Sequence, residues 1–93
     1  MLVDSAPVAR KNTDVEFEAL VRQLCQRYPV LTLAQIRVCA HILQGRRSWE
    51  IGARLGIDEH AVESHRSRIR KKLGLTSGQH LETFLLHELL KNL

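Results

Sequence analysis

The sequence predicts an all-α fold in which five helices share one small hydrophobic core. From Asp14 onward, apolar residues recur every three or four positions, and no segment alternates with the period of two that is typical of strands. Glycines and Pro29 separate the periodic segments, and polar residues able to cap a helix precede several of them. At 93 residues the chain is long enough to bury a single core without a metal or a disulfide.

The N-terminal part divides into a tail and a helix. Residues 1–13 contain Pro7 and small side chains without periodicity, which predicts a flexible tail. Residues 14–28 carry an apolar stripe at helical spacing, formed by Phe17, Leu20, Val21, Leu24 and Tyr28. We therefore expect one additional helix over residues 14–28, at the start of a single helical domain that spans residues 14–93.

The second helix is bounded by a cap at one end and a glycine at the other. Thr32 is followed three residues later by Gln35, which is the spacing of a capping box, and Gly45 is expected to end the helix. We expect Cys39, and Cys25 of the first helix, to behave as small buried hydrophobic side chains. The predicted core face of the second helix consists of Ile36, Cys39, Ala40 and Leu43.

A short third helix and a longer fourth helix follow, joined by a tight turn. The third helix is predicted over residues 48–55, and Gly56 supplies the positive φ that the turn requires. The fourth is predicted over residues 58–73, with Asp58 as its N-cap. A last helix is predicted over residues 77–92. Two short helices around a glycine turn, followed by a basic helix, are typical of a helix-turn-helix.

The basic excess of the protein is concentrated on this unit. Residues 46–72 hold eight Lys or Arg and four acidic residues, a net charge of +4, whereas the rest of the chain is neutral. A cationic surface of this kind favours a nucleic-acid partner. Aromatic residues make up only 4% of the chain, which argues against domains that stack single-stranded bases on aromatic rings. Double-stranded DNA is therefore the expected partner.

The fourth helix carries the polar face that a helix in the major groove needs. If Val62 points inward, Ile69 falls on the same side at about 100° per residue. Groove binding requires short polar side chains over base edges and long cations beside phosphates, whereas a solvated basic face is the alternative. The base-facing candidates are His60, Glu63, Ser64 and Ser67, and the DNA-backbone candidates are Arg46, Arg47, Arg68, Lys71 and Lys72. Glu63 either accepts from a cytosine amino group or orients a neighbouring arginine.

Several residues at fixed spacing carry a family pattern. They are Leu31-Thr32, Gly45, Glu50-Ile51, Leu55, Ile57, Val62, His65, Ile69 and Lys72-Leu73-Gly74. This pattern resembles the LuxR/FixJ (NarL or GerE) type of helix-turn-helix domain, here over residues 31–93 with one additional N-terminal helix before it. The resemblance implies a bacterial transcription-factor module of four helices whose third helix docks in the major groove. It places Glu63, Ser64 and Ser67 at base-facing positions, with Lys71 and Lys72 near the backbone.

The sequence departs from the family pattern at several positions. Gln35 stands where an acid is usual, and Ala61 replaces the usual Thr. Trp49 occupies a position that is often Lys, and Arg47 occupies the usual Ser/Thr cap, which Ser48 can shift by one residue. Family members usually carry a sensing domain ahead of this module. The protein is therefore either a stand-alone regulator or the C-terminal part of a longer one.

The last helix has more apolar residues than one core face needs. Leu86 and Leu90, with Leu93, form a second stripe beside the residues that can face the core. Such a surplus is typical of an interface, and in this family the last helix commonly pairs two subunits, so a homodimer is expected. The alternative function is a protein-interaction module, an anti-activator or adaptor with a regulatory protein partner. Trp49, the apolar last helix and the additional N-terminal helix favour this alternative.

Other kinds of function find no support in the residues. His80 and His87 lie two helical turns apart, roughly 10 Å, which is too far to share a metal ion. No nucleophile elbow or glycine-rich phosphate loop is present, so neither an enzyme nor a cofactor is expected. No apolar run approaches membrane-spanning length and no signal peptide is found, which predicts a cytoplasmic protein without membrane contact. His65 is expected to be a structural histidine, hydrogen-bonded to the backbone.

Overall fold

A computed structural model describes residues 5–91 of the chain, with side chains from residue 15 onward. The described part contains five α-helices and no strand, which confirms the predicted all-α fold. The helices are α1 (Ser5–Arg27), α2 (Leu33–Leu43), α3 (Ser48–Leu55), α4 (Glu59–Lys72) and α5 (Leu81–Leu90).

Helix α1 begins earlier than the sequence predicted. A flexible tail was expected over residues 1–13, but the helix already starts at Ser5, so this boundary is wrong for residues 5–13. Pro7 falls in the first turn, where its missing N–H costs no intrahelical hydrogen bond. The absence of an apolar period therefore does not exclude a helix. The remainder of the predicted tail lies outside the described residues.

Helix α2 has the caps that its sequence predicted. The hydroxyl of Thr32 accepts a hydrogen bond from the backbone N–H of Gln35 at 3.2 Å, and the Gln35 side-chain oxygen accepts from the Thr32 N–H at 3.0 Å. This reciprocal capping box satisfies two N–H groups that would otherwise have no partner at the helix start. Beyond the C-terminus, Gly45 adopts a φ of 83°, as the predicted stop requires.

The turn between α3 and α4 depends on two glycines. Gly56 has a φ of 75° at the C-cap of α3, and its role was predicted. Gly52, inside α3, was not singled out by the sequence, yet a Cβ placed there would lie 2.6 Å from the carbonyl oxygen of Ile57. The missing side chain therefore lets the chain fold back closely on α3. Asp58 then caps α4 as predicted, accepting from the N–H of Ala61 at 2.8 Å.

The core is organised around α2, which packs against each of the other four helices. The predicted stripe on α1 is in place, with Val21 and Leu24 buried and the other three members packed against the core. Cys39 is fully buried, and burial raises the pKa of its thiol to about 12. Cys25, in contrast, is exposed, so the prediction for this residue was wrong. It lies past the edge of the stripe that contacts α2. The fully buried large side chains are Leu24, Ile36, Val38, Cys39, Ile42, Ile51, Val62, Ile69 and Leu85.

Helix α5 starts later than predicted. It begins at Leu81 and not at Ser77, because residues 76–79 form a separate turn. In this turn the Gln79 N–H donates to the Thr76 carbonyl at 3.1 Å, and the Gln79 side chain accepts from the Thr76 N–H at 2.8 Å. Arg70 of α4 donates to both backbone carbonyls of this pair, which holds the turn against α4.

Candidate nucleic-acid interface

Helix α4 presents one face to the core and the opposite face to solvent. Val62 and Ile69 are fully buried against the neighbouring helices α2 and α3. All four base-facing candidates are exposed, as contact with DNA requires, and their role in reading bases stays a prediction. They are His60, Glu63, Ser64 and Ser67. The exposed face of α4 thus carries two short hydroxyl side chains, those of Ser64 and Ser67, that a ligand can reach.

The cations of α4 divide into exposed and engaged groups. Arg68 and Lys71 are exposed, and within residues 15–91 neither forms an ion pair with a carboxylate. Lys72 donates instead to the Gln35 side chain at 3.0 Å and to the Val30 carbonyl at 3.3 Å, which ties α4 to the start of α2. An ammonium group has three N–H donors, so one donor of Lys72 remains for another partner.

Gln35 stands at a position where the resembled family usually has an acid, and its uncharged side chain still forms two hydrogen bonds there. It is almost completely buried, and its side-chain oxygen accepts from both the Thr32 N–H and the Lys72 ammonium group. Because the amide carbonyl oxygen has two lone pairs, one neutral group completes the α2 cap and fastens α4 at the same time.

Glu63 has a partner that the sequence did not predict. The Ser48 hydroxyl donates a hydrogen bond to Oε2 of Glu63 and so links the N-terminus of α3 to α4. Ser48 therefore does not shift the cap of α3, whose N-cap is Arg47, with its backbone N–H bonded to Glu50 at 2.8 Å. Oε1 of Glu63 stays available to accept a bond from a ligand.

Beside the N-terminus of α3 lies an open cleft of about 460 Å³, which we call the arginine cleft. A helix N-terminus flanked by several arginines attracts anions such as a DNA phosphate. Two of the lining residues, Arg46 and Arg47, are predicted backbone contacts, whereas Arg66 was missed because its α4 position is half-buried. The cleft is lined by Ile42, Gly45, Arg46, Arg47, Ser48, Arg66 and Glu82.

Arg46 contacts a buried histidine, His41, which the sequence analysis did not single out. A guanidinium nitrogen of Arg46 lies 3.2 Å from Nδ1 of His41, and a second contact joins the same nitrogen to the Gln44 side-chain oxygen. His41 is only 7% exposed. Burial, then the charges of Arg46, Arg54 and Arg37, lower the pKa of His41 to about 4. The ring is therefore neutral near pH 7, and Nδ1 can accept from Arg46.

This low pKa predicts that folding stability falls as the pH drops. Protons bind the unfolded chain, where the histidine pKa is near 6.5, before they bind folded His41. The resulting loss of unfolding free energy is about 2 kcal/mol between pH 7 and pH 5. Urea unfolding at several pH values, compared between the wild type and His41→Gln, isolates this contribution because the other histidines are unchanged. Parallel pH curves for the two proteins would show that His41 does not titrate in this way.

His65 and Trp49 differ in their exposure to solvent. Nδ1 of His65 is buried and has no hydrogen-bond partner among the described residues, so the predicted backbone bond is not formed by this atom. Trp49, on α3, is 62% exposed. It lies in the first turn of α3 and is not among the side chains packed against the core.

The comparison with known families agrees with this geometry. Residues 29–85, more than half of the chain, match the GerE family model, which is described as bacterial regulatory proteins, luxR family. The chain belongs to the LuxR family. The match covers α2, α3, α4 and the first half of α5, whereas α1 lies outside it. No curated protein and no solved structure showed a significant match to the chain.

Membership of the LuxR family gives the general function. The LuxR-family chain is a DNA-binding regulator built on a helix-turn-helix. Across residues 5–91, no helix is both long enough and apolar enough to cross a membrane. In the same part of the chain, no three His, Cys, Asp or Glu side chains gather closely enough to hold a metal ion.

Proposed function

We propose that this LuxR-family protein is a sequence-specific transcriptional regulator that places α4 in the major groove of double-stranded DNA and acts as a dimer. The observation that carries the proposal is the division of α4 into two faces. Its apolar residues are buried, while Ser64 and Ser67 are exposed on the same side of the helix as Arg68 and Lys71, which form no ion pair within residues 15–91. A helix that presents short polar groups and long cations on one exposed face can contact base edges and phosphates together in the major groove.

The base contacts in this proposal come from four side chains. Ser64 and Ser67 donate to or accept from base edges, because a hydroxyl group can do either. Glu63 accepts from a cytosine amino group through Oε1, while Oε2 accepts from the Ser48 hydroxyl. His60, in the first turn of α4, contacts the base pair at the edge of the site.

The phosphate contacts come from both ends of the helix-turn-helix. Arg68 and Lys71 extend from α4, and Arg46 and Arg47 line the arginine cleft at the start of α3. Lys72 contributes less, because two of its three donors are already bonded within the protein. These contacts fix the position of α4 in the groove. They contribute to binding regardless of the DNA sequence, because every nucleotide has a phosphate.

Selection of bound sequences from random duplex DNA tests the proposal as a whole. Enrichment of a motif with two related half-sites is expected for a dimer. Failure to bind any duplex at low salt would overturn the proposal. In that case, loss of a protein partner on Trp49→Ala would instead identify a protein-interaction module.

Two substitutions on α4 are expected to have different effects on DNA binding. Lys71→Ala should weaken binding to all duplexes and lower the slope of log K against log salt by about one, because it removes a phosphate contact. Ser67→Ala should leave the slope unchanged and relax the preference at one base pair, by roughly 1–3 kcal/mol. Binding isotherms on specific and unrelated duplexes over a range of salt concentrations measure both effects.

Arg22→Ala is the matched control for the charge change. Arg22 is exposed on α1, so its removal alters the net charge as Lys71→Ala does without touching α4. The salt slope should therefore stay at the wild-type value in this variant. Equal behaviour of the Lys71 and Ser67 variants on all duplexes would contradict the assignment of these residues to phosphate and base.

A further inference from the structure

Helix α1 contacts the helix-turn-helix through the ring of Phe17. The ring centroids of Phe17 and His41 are 4.5 Å apart, with the ring planes at 37°. The guanidinium carbon of Arg37, one turn earlier on α2, lies 6.0 Å from the Phe17 centroid, and Arg37 pairs with Glu18 at 3.6 Å. Phe17 is thus held over two α2 side chains that are one helical turn apart.

His41 also contacts Arg46, a residue that lines the arginine cleft. Its Nδ1 lies 3.2 Å from the Arg46 guanidinium group, and its backbone carbonyl accepts from the Arg46 N–H at 3.1 Å. Arg46 lines the cleft. Phe17, His41 and Arg46 therefore form a continuous chain of contacts from α1, which the family match does not include, to the proposed phosphate site.

We propose that Phe17 and His41 are positioning residues that hold Arg46 in the arginine cleft, so that the docking of α1 sets the affinity for DNA phosphate. The inference rests on the proposed DNA-binding function. It assigns to α1 a role beyond packing, since a change in how α1 is seated would be transmitted to a DNA contact. A regulatory segment or domain joined to α1 would then have a route to the DNA surface.

The physical reason is the cost of ordering an arginine. A free arginine side chain loses much rotamer freedom when it binds a phosphate, whereas one already held by two acceptors has lost part of that freedom beforehand. His41 can act as an acceptor only while its ring is neutral with the proton on Nε2. The Phe17 ring covers the imidazole and helps to exclude the water that would stabilise the protonated form.

A double-mutant cycle between Phe17 and Arg46 tests the inference. Phe17→Ala is expected to weaken binding to a short random-sequence duplex at low salt by about fivefold, and to have no effect when Arg46 is already alanine. Phe17→Tyr, which keeps the aromatic stack, should restore wild-type affinity. The side-chain NMR signals of Arg46 should broaden or shift in Phe17→Ala and recover in Phe17→Tyr.

Val21→Ala is the control for a purely structural effect. Val21 lies one turn further along α1 and is buried in the core, but it is not part of the stack on His41. Its substitution should change the affinity by the same factor with Arg46 present or absent. If Phe17→Ala also has equal effects in both backgrounds, the positioning role is overturned while DNA binding stands. If the wild type binds no duplex, the proposed function fails, and the inference fails with it.

Discussion

Replacing Gly52 with alanine is expected to destabilise the protein by about 3 kcal/mol, because the new Cβ would overlap rigid backbone. The nearest atom to that Cβ is the Ile57 carbonyl oxygen at 2.6 Å, followed by two backbone atoms of Asp58 at 3.4 and 3.5 Å. None of these atoms belongs to a side chain that can rotate away. The turn must therefore open, which strains the Ile57 N–H bond to the Gly52 carbonyl and the Asp58 cap of α4.

Urea unfolding of Gly52→Ala and of a matched control checks this expectation. Gly78 lies in the turn before α5, has open space where a Cβ would go, and does not have a left-handed φ. Gly78→Ala should therefore leave stability unchanged or raise it by about 0.4–1 kcal/mol, because alanine restricts the unfolded chain. Equal stability of the two variants would show that α3 and α4 can separate without cost. Such a result would contradict the expectation that the turn between α3 and α4 is rigid.

The part of the fold that could be predicted from sequence is the part that depends on local signals. The cap of α2 by Thr32 and Gln35 requires residues only three positions apart, and so does the Asp58 cap of α4. Both caps were predicted correctly for that reason. The outer face of α4 also follows from local periodicity, since Val62 and Ile69 alone determine which direction is buried.

Contacts between distant residues account for most of what the sequence did not reveal. Lys72, predicted to contact the DNA backbone, also bonds to Gln35, which is 37 positions away, and nothing in the sequence indicated this bond. Glu63 similarly bonds to Ser48, from another helix. A helical wheel identifies exposed residues, but it cannot tell which exposed cation or carboxylate already has a partner across the fold.

The boundaries of α1 and α5 were wrong for a different reason. Residues 5–13 form a helix without an apolar stripe, so the signal that was used to locate helices was absent. At the other end, residues 76–79 form hydrogen bonds with one another and with Arg70, which replace the first turn of the predicted helix. In both cases hydrophobic periodicity indicates burial more directly than it indicates secondary structure.

The largest expected effect on assembly is the loss of the proposed dimer when Leu86 and Leu90 are both replaced by glutamate. The two leucines lie one turn apart on the outer side of α5 and are 42% and 63% exposed, while Leu93, the third residue of the predicted interface, lies outside the described residues. Burying each leucine against a second copy contributes on the order of 1.5–3 kcal/mol. A two-fold interface contains every contact twice, so the double variant should be monomeric in sedimentation equilibrium.

Val15→Glu combined with Leu33→Glu is the matched control, because these side chains are similarly exposed but lie on α1 and α2. This control should remain dimeric if α5 forms the interface. DNA with two half-sites can bring two monomers together even when the free protein does not associate, so the stoichiometry on such a duplex has to be measured separately. A wild type that is monomeric at high micromolar concentration and also binds the two-site duplex as a single copy would rule out the dimer.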